Sequence, residues 1–153
     1  MATPIVTTVI LIRHAEKATS VPTDPNPHLS TAGKARAKTL IHVVGKSGIK
    51  AIYVSDAIRA KETAQPLAAH LGITPIEMVD ALSIKNHILA NHAGKTVLMI
   101  GHSNTVPDLI NRLGTGALPI IGESEFDNLF VVKVLDSGTA SVTQLKYGKP
   151  SQA

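Results

Sequence analysis

The chain has 153 residues, 44% of them hydrophobic and 17% charged, a globular composition that fits one domain, 1–153, able to bury a sizeable core. The formal charge of +4 is mild and dispersed, aromatics make up 3% and tryptophan is absent, a poor basis for nucleic-acid binding. No cysteine is present, which excludes disulfides and thiolate chemistry within this chain, and no apolar run is long enough to span a bilayer.

Residues Met1 to Thr8 carry neither a basic stretch nor a signal-like apolar region. A cytoplasmic setting is therefore expected, with export left open for a trimmed chain. Val6–Ile12 is a β-branched run that reads as a strand buried on both faces. It ends on Arg13-His14-Ala15-Glu16. The loop Ser20–Leu29 holds Pro22, Pro25 and Pro27, which exclude regular structure. Ser30 caps a helix to about Gly45, with Ala32, Ala35, Leu40 and Val43 marking its buried face.

Ala51–Val54 is a second strand. Ala57–Leu71 follows as a helix, with Gly72 as its stop and a kink expected at Pro66. A short strand falls near Pro75–Val79 and a helix from about Ala81 to Asn91. Thr96–Ile100 is another buried strand, and Val106, Leu109, Ile110 and Leu113 stripe the helix after it, ended by Gly114. Leu129–Leu135 and Ala140–Lys146 close the chain as two strands turned at Asp136-Ser137-Gly138. The alternation predicts a three-layer α/β/α sandwich, its sheet mainly parallel with an antiparallel edge hairpin.

Three strand ends carry the chemistry. The first delivers Arg13 and His14. The second, Tyr53-Val54, ends in Ser55-Asp56 and puts Arg59 in the first helical turn. The third, Val97-Leu98-Met99-Ile100, ends in Gly101-His102-Ser103-Asn104. In a parallel sheet these ends share one edge, where ligands bind and where helix N-termini add partial positive charge. Two guanidiniums and two imidazoles there make a strong site for a phosphoryl dianion.

These three motifs, with Thr63 and Ala64, resemble the histidine phosphatase superfamily, the phosphoglycerate-mutase-like group, over roughly Val9 to Val132. The size resembles its small SixA-type phosphohistidine phosphatases. Ala15 departs from the glycine usual in the first motif, a mild change. The resemblance implies that His14 attacks phosphorus and becomes a phosphohistidine, while Arg13, Arg59 and His102 bind the nonbridging oxygens. The attacking nitrogen of His14 must then be unprotonated, with its other nitrogen tied to a backbone carbonyl. His102 is better charged, a state that a bound dianion favours.

Ser103 and Asn104 serve equally well as helix caps or as ligand contacts. His28 is equally a rim contact or a solvated residue. His42, His70, His87 and His92 read as surface or satisfied core groups. The general acid is unassigned by any insertion: Asp80 is the first candidate, Glu16 the second, and Glu123 or Glu125 could reach in from the late loop. A general acid contributes about 100- to 10,000-fold, most where the leaving group is poor. A site without a firm acid suits a phosphohistidine substrate, whose imidazole leaves well once protonated.

Gly94-Lys95-Thr96 mimics the end of a phosphate loop but precedes its strand, and no His-Glu-x-x-His spacing occurs. No metal and no cofactor is expected. The expected partner is a phosphorylated protein or a small phosphorylated metabolite, with phosphate or sulfate able to bind the site, and neither nucleic acid nor membrane. The sequence thus points to a metal-independent hydrolase. A phosphatase of envelope-type sugar phosphates and a non-catalytic phosphate-binding module are the rivals.

Overall fold

A computed structural model describes residues 3–151. Of the N-terminal stretch read for export, Met1 and Ala2 therefore lie outside the described residues. Six strands and four helices alternate: β1 (Val6–Arg13), α1 (Thr31–Val44), β2 (Ile49–Val54), α2 (Ile58–Leu71), β3 (Ile76–Glu77), α3 (Ala81–Asn91), β4 (Thr96–Gly101), α4 (Thr105–Ile110), β5 (Asn128–Leu135) and β6 (Ala140–Lys146). They build one sheet of order β3-β2-β4-β1-β5-β6. β3, β2, β4 and β1 run parallel, while β5 pairs antiparallel with β1 and β6 with β5.

Both faces of the sheet are covered, which is why its strands read as unbroken apolar runs. Alternate residues go to opposite cores. Val9, Leu11, Val97 and Met99 pack with Ile84 and Ile88 of α3 and Leu109 of α4. Ile10, Ile12, Leu98 and Ile100 pack on the other side with Leu40 of α1 and Ala64 and Leu67 of α2. β1 and β4 lie side by side in register, Arg13 opposite Gly101. The residues that leave these two strands therefore start as neighbours.

Four local expectations are corrected. The buried side of α1 is Gly33, Arg36, Ala37, Leu40 and Val44, whereas Ala32, Ala35 and Val43 are exposed. The helix turns Arg36 inward because a carboxylate awaits it there, as shown below. α2 runs unbroken through Pro66, although the proline removes one donor from the helix ladder. β3 is only two residues long. α4 stops at Ile110 and passes into a π-helical turn, Asn111–Thr115. Gly114 there has φ +105°, and a Cβ would stand 2.7 Å from the Gly138 carbonyl oxygen, so only glycine lets the β5–β6 turn close against it.

Candidate active site

β1, β2 and β4 end at one edge of the sheet and bring Arg13, His14, Arg59 and His102 together. The His14 amide donates to the Gly101 carbonyl at 2.8 Å, fastening the first motif to the strand that leads into the third. His14 is 3% exposed. Its ring lies 5.2 Å from that of His102, centroid to centroid, in an edge-on arrangement.

Two neighbours settle the proton on His14. Nδ1 is 2.7 Å from the Ala15 carbonyl oxygen, which can only accept, so Nδ1 carries the hydrogen. Arg59 Nε, which can only donate, is 3.2 Å from Nε2, so Nε2 carries a lone pair. Burial, with Arg59, Arg13 and His102 close by, pulls the pKa down to about 3, against the Ala15 bond that raises it. The imidazole is neutral, with the lone pair of Nε2 toward the Arg59 guanidinium.

Ala15 fits where it stands. It is fully buried with Leu29 and Ala37, and its amide donates to Thr63 Oγ1 at 2.9 Å while that hydroxyl donates to the Arg59 carbonyl at 2.7 Å. Thr63 thus links the nucleophile loop to the helix that carries Arg59.

Arg13 is held by the late loop, through backbone carbonyls rather than through the Glu123 or Glu125 carboxyls considered from the sequence. Its Nη1 donates to the carbonyls of Gly122, Glu123 and Glu125 at 3.2, 2.9 and 2.9 Å. Its guanidinium lies 4.1 Å over the Phe126 ring, a cation–π stack. The Nε donor is buried without a partner among the described residues, so it can donate to an anion's oxygen. Phe126 has no motif around it in the sequence; only the fold brings residues 122–126 back beside β1.

His102 is anchored at both ends. Its amide donates to Thr105 Oγ1 at 2.9 Å, and its Nε2 is 2.8 Å from Ser55 Oγ. Burial and the charges of Arg59 and Arg13 hold its pKa below the usual imidazole value, opposed by Asp56. The ring is therefore biased toward neutrality before a dianion binds; the charged form expected from the sequence is the one a bound dianion favours. Asn104 caps α4 with its side chain on the Thr105 amide; Ser103, beside it, makes no side-chain hydrogen bond among the described residues.

The two leading acid candidates are committed elsewhere. Asp80 is the N-cap of α3, accepting from the Ser83 amide and hydroxyl at 2.9 and 2.8 Å. Those bonds hold its carboxyl ionised and lower its pKa. Glu16 spends both oxygens on Arg36, at 2.8 and 3.0 Å; its pKa falls too, although burial pushes the other way. A proton donor needs the opposite bias, so neither carboxyl fits the acid role. Glu125 accepts from the Gly122 amide and from Asn128, with its pKa likewise lowered, first by the Gly122 bond. Glu123 reaches the site through its backbone, its side chain being exposed. His28 is 66% exposed and pairs with Glu62 at 3.1 Å, apart from the four-residue cluster. No group of three or more His, Asp or Glu side chains suited to a metal ion occurs among the described residues, and no helix is long and apolar enough to cross a membrane.

Residues 9–83 match the histidine phosphatase superfamily (branch 1). That stretch is just under half of the chain and holds the first two motifs. Comparison with curated protein sequences gives no match. Among solved structures, the protein histidine phosphatase SixA complexed with tungstate superposes with a TM-score of 0.73 at 21% identity, covering 91% of this chain and 96% of that chain. A SixA structure from Nakamurella multipartitia gives 0.63 at 21% identity, covering 95% and 96%. The mycobacterial glucosyl-3-phosphoglycerate phosphatase gives 0.71 at 14% identity, covering 93% and 98%. The three-layer α/β architecture is shared with all of them, and together with the match over residues 9–83 it supports a phosphatase.

Proposed function

We propose that this chain works as a histidine phosphatase through a covalent phosphohistidine at His14 and that its substrate is a phosphohistidine-bearing protein or a small phosphomonoester. The observation that carries the reading is the fixed tautomer of His14. A carbonyl on Nδ1 and a guanidinium on Nε2 leave one nitrogen able to attack at neutral pH. Nε2 bonds to phosphorus as the bond to the leaving group breaks: the ring of a protonated phosphohistidine departs as neutral imidazole, and an alkoxide takes its proton from water. Water then attacks the phosphohistidine, releases inorganic phosphate and restores the imidazole.

Arg13, Arg59 and His102 surround the equatorial oxygens, where the charge of the transferring group is spread. The Arg59 contact to Nε2 is the one the incoming phosphoryl group takes over. These two permanent cations supply the charge that a metal provides in other phosphatases, so the reading needs none. Structural neighbours hold tungstate and vanadate, tetrahedral or bipyramidal mimics of phosphate, in keeping with an anion-binding edge.

A phosphoramidate fits better than a phosphoester. The carboxylates of Asp80, Glu16 and Glu125 are each already bonded elsewhere, and an alkoxide would leave without help from them. An imidazole leaves easily once protonated. The competing reading, a sugar-phosphate phosphatase, draws on neighbours such as the glucosyl-3-phosphoglycerate phosphatase; it requires a donor that Asp80 and Glu16 do not offer. A silent phosphate-binding module is the third and weakest reading, because the full set of four cationic and imidazole groups is assembled.

The test is turnover of a phosphohistidine protein, an aryl phosphate and an alkyl phosphate by wild type and His14→Ala. Activity falling in the order phosphohistidine, aryl, alkyl, with His14→Ala slower by at least about 1,000-fold, is the expected result. Equal rates in the two proteins would refute the nucleophile. An alkyl phosphate turned over as fast as phosphohistidine would favour the sugar-phosphate reading.

A further inference from the structure

We propose that Ser55 is a positioning residue that holds His102 as the neutral Nδ1–H tautomer, so that the clamp on the phosphoryl group consists of two permanent cations and one neutral N–H donor. The inference deepens the function proposed above and rests on its assignment of His102 to the phosphoryl oxygens.

Ser55 is the first residue beyond β2 and is 4% exposed. Its Oγ has two neighbours: His102 Nε2 at 2.8 Å and the Ala57 amide nitrogen at 3.4 Å. The amide can only donate, so it uses a lone pair of Oγ. The hydroxyl proton then has one protein acceptor in reach among the described residues, His102 Nε2. If Nε2 carried its own hydrogen, that proton would be stranded in a buried place, an arrangement native structures avoid. Nε2 is therefore the acceptor, and a neutral ring carries its hydrogen on Nδ1.

The charged groups facing the ring agree with this. Burial, Arg59 in α2 and Arg13 at the end of β1 oppose a second proton on His102, while Asp56 favours it. The His102 amide donates to the Thr105 hydroxyl and fixes the backbone, and the ring cannot turn over without giving up the Ser55 bond. The consequence is a clamp with a graded charge. Arg13 and Arg59 neutralise the dianion, and His102 adds direction without a third full positive charge beside a nucleophile that must stay neutral.

The decisive measurement is the nitrogen chemical shifts of uniformly labelled histidine, followed by long-range proton–nitrogen correlation across pH without substrate. In wild type, His102 is expected as Nδ1–H throughout its neutral range. In Ser55→Ala it is expected as a mixture of tautomers, titrating at a higher pH because the neutral ring has lost its donor. Its kcat should fall about 10- to 100-fold, the usual loss when the partner orienting a working imidazole is removed, with KM changed much less. Ser55→Thr, which keeps the hydroxyl, should restore the wild-type tautomer.

An Nε2–H signal for His102 in wild type overturns the proposal. So does a tautomer and titration midpoint unchanged in Ser55→Ala. If Ser55→Ala does not fold, the wild-type spectrum alone decides. The spectra need no turnover, and His14→Ala tests the nucleophile separately, so failure of one reading is distinguishable from failure of the other.

Discussion

Arg36 shows how much a single buried side chain can organise around a site it does not touch. Its guanidinium is 3% exposed and makes a forked pair with Glu16. It also donates to the carbonyls of Tyr147 and Lys149 at 2.8 and 2.6 Å. Glu16 is two residues from the nucleophile, and the tail beyond Lys149 reaches the Phe126 amide through Ser151 Oγ at 2.8 Å. One cation thus ties the His14 loop to the segment that stacks on Arg13. Arg36→Met should cost about 3 kcal/mol, near the lower end for a broken buried pair because Glu16 keeps 24% of its side chain in water. Urea unfolding would measure it, and Arg36→Lys should recover only part, since an ammonium lacks the fork.

The elements themselves were largely legible, because each depends on local pattern. The β-branched runs, the Ser30 cap that accepts from the Gly33 amide at 3.1 Å, and the Gly72 stop at φ +69° are short-range signals. What periodicity did not reveal was which side of α1 faces inward. Ala, Val and Leu are spread around that helix, and a partner on another element, Glu16, decides the rotation. Gly33 marks the point of contact: a Cβ there would sit 2.1 Å from the Glu16 carbonyl oxygen. Helix propensity alone favours alanine by about 1 kcal/mol, yet Gly33→Ala should destabilise by about 1–3 kcal/mol through overpacking. A rise in melting temperature would show that α1 can slide away from the nucleophile loop.

At the scale of the molecule, the buried neutral imidazole of His14 makes stability depend on pH. Its native pKa is about 3 against 6.5 for the free side chain. Between those values the unfolded chain binds a proton that the folded chain refuses, so stability falls as pH drops from 6.5 toward 3. From pH 7 to pH 5 this linkage amounts to about 2 kcal/mol. Denaturant midpoints at the two pH values, compared with His14→Ala, should show a shallower dependence in the variant by that amount; parallel slopes would place the proton elsewhere. The sequence by itself determined the strand and helix alternation and the three motifs at strand ends, because burial on both faces of a parallel sheet writes itself as continuous apolar runs broken by polar turns. It carried the identities of Arg13, His14, Arg59 and His102 for the same reason: each sits at a junction that the pattern marks. The tertiary structure alone decided the partners of those residues. The Arg13 carbonyl cradle spans more than a hundred positions of chain. The Ser55 bond to His102 joins two different strands, and the inward turn of Arg36 answers a carboxylate from β1's loop. Such contacts have no local spacing. They exist only when the sheet order sets β4 beside β1 and returns residues 122–126 to the same edge, and that proximity decides which proton each imidazole keeps.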